Sequence, residues 1–243
     1  MDALIYTAMS GAERALRGQQ VHANNLANAD TTGFRANLEL SSAQALQNGY
    51  GYDDRHMSQL QANAVTTRQG SLKPTGRDLD VAISGDGFFA VQGPNGEAYT
   101  RAGALTVDST GQLMDGNFPI LGEGGPITVP EYTKIAIGQD GTVSIQQPGT
   151  ALMQTIDKLK LVKADASELT KNEAGLLVAR NGQQLPTDPT VLVRPGHLEG
   201  SNVSAVEEMI ATMSLNRTFE VQMKMLTAAD SMDQSANRLV SGS

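Results

Sequence analysis

The chain has 243 residues, with 25 Gly, 9 Pro, no Trp and only 4% aromatic residues, a composition that argues against an aromatic-lined catalytic cleft and for a turn-rich scaffold with an aliphatic, Ala and Met core. Lys and Arg total 18 against 26 Asp and Glu, a net charge of −8, and no basic patch collects that could neutralise several phosphates, which excludes nucleic acid as a partner. Cysteine is absent, so disulfides, thiolate nucleophiles and Cys-ligated metals are excluded together.

The opening Met1-Asp2-Ala3-Leu4-Ile5-Tyr6 lacks the basic stretch and apolar block of a secretory signal peptide. No run of about 18 apolar residues exists for a membrane helix. A soluble chain is expected which, if exported, leaves without a cleaved signal and without membrane insertion.

From Ala3 to about Ala29 there is no Pro, and Leu4, Ala8, Ala12, Ala15, Leu16, Ala23, Leu26 and Ala27 recur at a helical period. One long helix is expected, with a small apolar side suited to close approach of neighbouring helices. The Asn24-Asn25 pair and Asn28-Ala29-Asp30-Thr31-Thr32-Gly33 then compete with the helical backbone and end it, Gly33 tolerating positive φ. Residues 36–79 are polar and read as an extended arm, with one short helical stretch over Leu38 to Leu46.

From Asp80 to about Arg194 the chain alternates short apolar runs with turn signals at Pro94-Asn95-Gly96, Asp115-Gly116-Asn117, Asp140-Gly141 and Asn181-Gly182, which predicts an all-β domain over 80–200. Ala166 to Lys171 reads as a helical turn within it. Ser204-Ala205-Val206-Glu207 fits a capping box, and from there to Val240 neither Pro nor Gly interrupts a second long helix. Val206, Ile210 and Met213 mark one apolar line on it; Leu215, Phe219, Leu226, Ala229, Met232, Ala236 and Leu239 mark another, displaced around the axis. Two displaced seams imply contacts on more than one side.

The fold class expected is therefore α+β. Terminal helices, 1–35 and 201–243, pair as a helical module, with the arm (36–79) and the β domain (80–200) inserted between them. Apolar helix faces with little else to bury them drive association with other chains, and a lone subunit is expected to keep its ends loose until it docks.

Other motifs carry blander readings. His22, His56 and His197 have no carboxylate at metal-ligand spacing, which favours solvated or capping roles over a metal site. Glu207 and Glu208 suit the dipole of the first helical turn rather than a catalytic pair. Gly85-Asp86-Gly87 lacks the third Gly of a dinucleotide fingerprint and reads as a tight turn between strands. The acceptor patterns at Asn202 and Asn216 lie at or in the last helix and read as chance. No catalytic, cofactor or metal residues are assigned, and an enzyme is not expected.

Three segments carry a resemblance. Ala23-Asn24-Asn25-Leu26-Ala27-Asn28-Ala29-Asp30-Thr31-Thr32-Gly33-Phe34-Arg35 resembles the signature after the first helix of flagellar rod, hook and hook-associated proteins. Gly85-Asp86-Gly87-Phe88-Phe89-Ala90-Val91, with Tyr99-Thr100-Arg101-Ala102-Gly103 after it, resembles the start of that family's β domain. Glu199-Gly200-Ser201-Asn202-Val203 resembles the approach to its last helix. The match spans essentially the whole chain, in order. Within the family the opening dodecapeptide and the modest length look most like the proximal rod subunits; a distal rod paralogue is the alternative, and a transient rod-assembly or cell-wall-binding factor a further one.

The resemblance implies a structural subunit exported by the flagellar type III apparatus and built into a rod that crosses the periplasm and transmits torque. Its partners would be other copies of itself and neighbouring rod subunits. The assembly interface expected comprises Leu4, Ala8, Ala12, Leu16, Asn24, Asn25, Leu26, Asn28, Gly33 and Phe34 at the first end, and Val206, Ile210, Met213, Leu215, Phe219, Leu226, Met232 and Leu239 at the last.

Overall fold

A computed structural model describes residues 2–45, 56–66 and 68–241. The architecture is α+β, with a long helix toward each end of the chain and antiparallel strands between them. The chain divides into two compact units: residues 1–27, 37–63 and 204–243 form one, residues 28–36 and 64–203 the other.

In the first unit, helix α1 (Asp2–Ala27) packs against helix α2 (Ala205–Ser241). The face of α1 that is covered is small: Ala8, Ala12, Ala15 and Gly18 are all buried, spaced four, three and three residues apart so that they share one side of the helix. Small residues let the two backbones approach, and a Cβ added at Gly11 would lie 2.9 Å from the Gln222 carboxamide on α2. Ser204 caps α2 by accepting from the Glu207 N–H at 3.5 Å, satisfying one of the first turn's free donors.

Strands β1 (Asn37–Ala45) and β2 (His56–Val65) pair as a two-stranded sheet. The short helix expected from Leu38 is therefore corrected: the described part of that segment is strand. Leu38 and Leu40 alternate at the period of a strand, and the paired neighbour decides between the two readings, since local propensity is a weak prior.

The second unit holds strands β3 (Leu72–Pro74), β4 (Val81–Ser84), β5 (Phe88–Gly93) and β6 (Gly96–Thr100). A five-stranded antiparallel sheet runs in the order 161–162, β5, β6, 177–179, 169–171. The β5–β6 hairpin closes with Gly93 opposite Gly96, so Pro94 and Asn95 form the loop and Gly96 takes the positive φ of 119° that a side chain would resist. β3 pairs with 197–199 and β4 with 192–195.

Alternation builds the core. Val81 and Ile83, Phe89 and Val91, Ile135 and Ile137, and Val143 and Ile145 all point into one buried cluster. The other face of the five-stranded sheet buries Phe88, Ala90, Tyr99 and Leu177, and the Tyr99 hydroxyl accepts from the Leu185 N–H at 2.8 Å. Gly85-Asp86-Gly87 makes the turn from β4 to β5, with φ of 91° and 144° at the two glycines. Of the stretch read as a helical turn, only Ala166–Glu168 is helical; Leu169–Lys171 extends into the sheet edge, where Leu169 is buried by pairing opposite Ala179.

Candidate assembly interface

Helix α2 presents two apolar faces with different fates. Leu215, Phe219 and Leu226 are half-buried and Ala229 fully buried; their spacing of four, seven and three residues puts them on one side of a 3.6-residue helix, the side toward α1. Val206, Ile210 and Met213 lie roughly opposite and are 64%, 62% and 59% exposed. Met232, which spacing groups with the first set, is exposed, because successive steps of three from Leu226 walk about 60° each around the axis. Ala236 is exposed too. On α1, Ala8 and Ala12 lie under α2, Leu26 is half-buried, and Leu16 stays exposed with Tyr6 and Met9. Leu4 and Leu239 sit in the two helices, but their side chains, like that of His56, lie outside the described ones.

The Asn pair at the end of α1 has a specific task. Asn25 is 1% exposed, and its carboxamide acts as a strand mimic: Oδ1 accepts from the Asn37 N–H at 2.8 Å and Nδ2 donates to the Asn37 carbonyl at 3.1 Å. Nδ2 also reaches Glu208 Oε1 at 3.3 Å. Asn24 Oδ1 accepts from the Asn37 side chain at 3.1 Å. Thus the first residue of β1 is fastened to the last turn of α1. His22 is not merely solvated, since its Nδ1 pairs with Glu208 Oε2. Glu208 therefore serves α1 as well as the first turn of its own helix.

In the second unit, the three segments that carry the resemblance converge. Asn28 accepts from the Thr31 N–H through its carbonyl at 3.2 Å and from the Thr31 hydroxyl through Oδ1 at 3.1 Å, closing the turn after α1. Gly33 has φ of 67°, and a Cβ there would sit 2.1 Å from the Ala102 nitrogen, so both the backbone angle and the space demand glycine. Its N–H donates to the Glu199 carbonyl at 2.8 Å. The Phe34 ring lies 3.8 Å from Lys171 Nζ, a cation–π contact, and the same ammonium donates to the Arg35 carbonyl at 2.9 Å. Burial pushes the Lys171 ammonium down to about 8.

Behind Phe34 lies a buried ionic triad. Arg35 Nη2 is 2.7 Å from Glu199 Oε1 and Arg101 Nη1 is 3.0 Å from Glu199 Oε2, with the three side chains 2%, 2% and 1% exposed in the order Arg35, Arg101, Glu199. Desolvation lowers both guanidiniums, Arg101 to about 10, against the opposing pull of Glu199. Asn202, 6% exposed, ties three segments together: Oδ1 accepts from the Ala36 N–H at 2.8 Å, Nδ2 donates to the Arg68 carbonyl at 2.7 Å, and its own N–H donates to the Phe34 carbonyl at 3.3 Å. Arg35 Nη1 donates to that same Arg68 carbonyl at 2.6 Å.

Sequence reasoning names Gly33 and Phe34 but misses Arg35, Arg101, Glu199, Asn202, His22 and Glu208 as functional side chains. Each lies inside or beside a segment that carries a recognisable pattern. A charged residue looks solvated by default, and only the fold shows that three of them meet far from water. His197 Nδ1 bonds the Pro195 carbonyl at 2.9 Å. Among the described residues no three His, Asp or Glu side chains are grouped to hold a metal ion, and no helix is long and apolar enough to cross a membrane.

Comparison with known proteins agrees with this layout. Residues 5–35 match the family model for the flagella basal body rod protein, residues 82–145 the D1 domain of the flagellar hook protein FlgE/F/G, and residues 194–239 the C-terminal model of the flagellar basal body rod FlgEFG proteins. The chain is 42% identical over 250 residues to the flagellar basal-body rod protein FlgF of Salmonella typhimurium, covering 99% of each. It is 31% identical over 244 residues to FlgF of Caulobacter vibrioides, covering 97% of each. The basal-body rod protein FlgG of Buchnera aphidicola is 28% identical over 265 residues, covering 97% of this chain and 98% of that one.

Proposed function

Because the chain belongs to the flagellar basal-body rod protein family and is a structural subunit of that rod, we propose that it polymerises through its terminal helices, one seam of α2 holding α1 and the other docking on neighbouring subunits. The proximal part of the rod is its place: the Salmonella typhimurium relative, 42% identical over 99% of both chains, is a FlgF protein. Its partners are further copies and adjacent rod subunits, it does no catalysis, and it reaches the periplasmic span of the rod through the flagellar type III apparatus.

The observation that carries this reading is the exposed line Val206, Ile210 and Met213. Removing apolar surface from water gains about 25 cal/mol per Å², and a helix whose other side is already covered has no use for such a line within its own chain. Contacts that repeat from copy to copy without closing generate a helical lattice. An Ile210→Lys variant of the full chain, expressed in cells lacking the native subunit, is expected to fold but to leave basal bodies without a completed rod. Normal rods containing the variant would refute the reading.

A further inference from the structure

The triad of Arg35, Glu199 and Arg101 is a poor way to make a protein stable. A buried ion pair is commonly no better than well-packed apolar side chains of similar volume, because desolvation offsets the attraction. Here two guanidiniums share one carboxylate, and among the described residues the Nε of each meets no hydrogen-bond partner, which adds the cost of unmet donors. What planar guanidinium forks supply is direction.

The triad and its neighbours sit where that matters. The chain leaves the second unit after residue 36, re-enters it at residue 64 and leaves again after residue 203. Arg35 stands on the first of these segments, and Arg68 lies just inside the second. Glu199 and Asn202 stand on the third. Besides the Asn202 bonds, the Thr66 N–H donates to the Ala36 carbonyl at 3.1 Å, and Arg68 Nη2 donates to the Asn202 carbonyl at 3.1 Å. Arg101 then secures the bundle to the β body by donating to the Gly85 carbonyl at 2.8 Å, while its guanidinium lies 5.2 Å from the Phe88 ring centre.

We infer that Arg35, Arg101 and Glu199 are positioning residues for rod assembly: an ionic clamp that fixes the register of these three segments at the β body, sacrificing net stability for one defined geometry. The inference rests on the assembly reading above. Charged forks accept few arrangements, whereas an apolar replacement would pack in several, leaving the subunit folded but with poorly defined exits.

The test replaces the clamp in the full chain with apolar side chains of similar volume, Arg35→Met, Arg101→Met and Glu199→Leu together. The expected result is a thermal midpoint equal to or above the native one, together with loss of swimming and of completed rods in cells lacking the native subunit. A variant that folds as well and still builds rods overturns the clamp. A large drop in midpoint also overturns it, by showing that the triad holds the fold together. A second measurement needs no variant: in the native chain the amide protons of Gly33, Ala36 and Asn202 should exchange as slowly as that of Ala90, which donates to the Lys160 carbonyl inside the five-stranded sheet. Rapid exchange at those three, with Ala90 protected, would refute a fixed register. Failure of the helix-face reading is seen separately, as rods built by the Ile210→Lys variant, and does not depend on either outcome.

Discussion

Asp115 offers a test of the β body that needs no assembly. Its carboxyl is buried at the end of strand 113–115, with the Thr100 hydroxyl as its hydrogen-bonding partner, and desolvation pushes it from 3.8 up to about 6. A rise of that size means that the charged form costs the fold on the order of 3 kcal/mol. Between about pH 4 and pH 6 the folded protein holds a proton that the unfolded chain has lost, so stability falls as pH rises through this window and levels off above it. Asp115→Asn keeps a group that can bond Thr100 and removes the ionisation. The variant should match the native protein near pH 4 and exceed it at pH 7 by about 2–3 kcal/mol, a gain of up to about 10 °C in midpoint for a body of this size. Urea unfolding of both proteins at pH 4, 5, 6 and 7, followed by the near-ultraviolet signal of the tyrosines, reads the difference with all other titrations common to both. A gap that does not change with pH, or an Asn variant that is weaker at pH 7, would show that this carboxyl is not held in a desolvated site.

Three further outcomes are expected. Gly33→Ala should destabilise by about 3 kcal/mol or more, since a left-handed angle for Ala costs about 1–2 kcal/mol and its Cβ would meet backbone at Ala102; calorimetry of the full chain checks this, and a loss under about 1 kcal/mol would contradict it. Tyr99→Phe should cost about 1 kcal/mol by leaving the half-buried Leu185 N–H without its acceptor, measured by urea unfolding, with an unchanged midpoint as the contrary result. Ala15→Leu should wedge α1 away from α2, a typical overpacking cost being about 1–3 kcal/mol, and hydrogen exchange should quicken along α1 and α2 while the five-stranded sheet stays protected.

Much of this fold is legible in the sequence, and for identifiable reasons. The long helices show because neither Pro nor Gly interrupts residues 204–240 and because Ser204 can cap the first turn of α2. Hairpins show where turn chemistry is strict, as at Pro94-Asn95-Gly96. The segment from Leu38 misleads for a local reason: it is short, and its strand partner, eleven or more residues later, decides its state. Two apolar seams on α2 are readable from spacing alone, but not which of them stays within the chain. That depends on the row Ala8, Ala12, Ala15 and Gly18, whose small side chains admit a close neighbour on the side of Leu215 and Phe219. For the same reason, charges at Phe219 or Leu226 would break the pairing with α1, whereas a charge at Ile210 probes the outward seam alone.

Buried charge is the least visible feature. Arg35, Arg101 and Glu199 stand 66 and 98 residues apart in pairs, each within a polar-looking segment, and no periodicity reveals that they share one site. Asn25 reads in the sequence as part of a helix-ending turn and of the assembly interface, and Asn202 as a chance acceptor pattern, although their carboxamides complete backbone ladders that the main chain leaves open.

The central claim is that the outward seam of α2 touches other subunits while the inward seam does not. A photo-activatable residue placed at Ile210 or, separately, at Ala229 of the full chain in assembled basal bodies tests it directly. The account predicts covalent adducts with neighbouring rod subunits from position 210 and none from position 229, which is buried against α1. Adducts to other chains from position 229 with none from position 210 would contradict it.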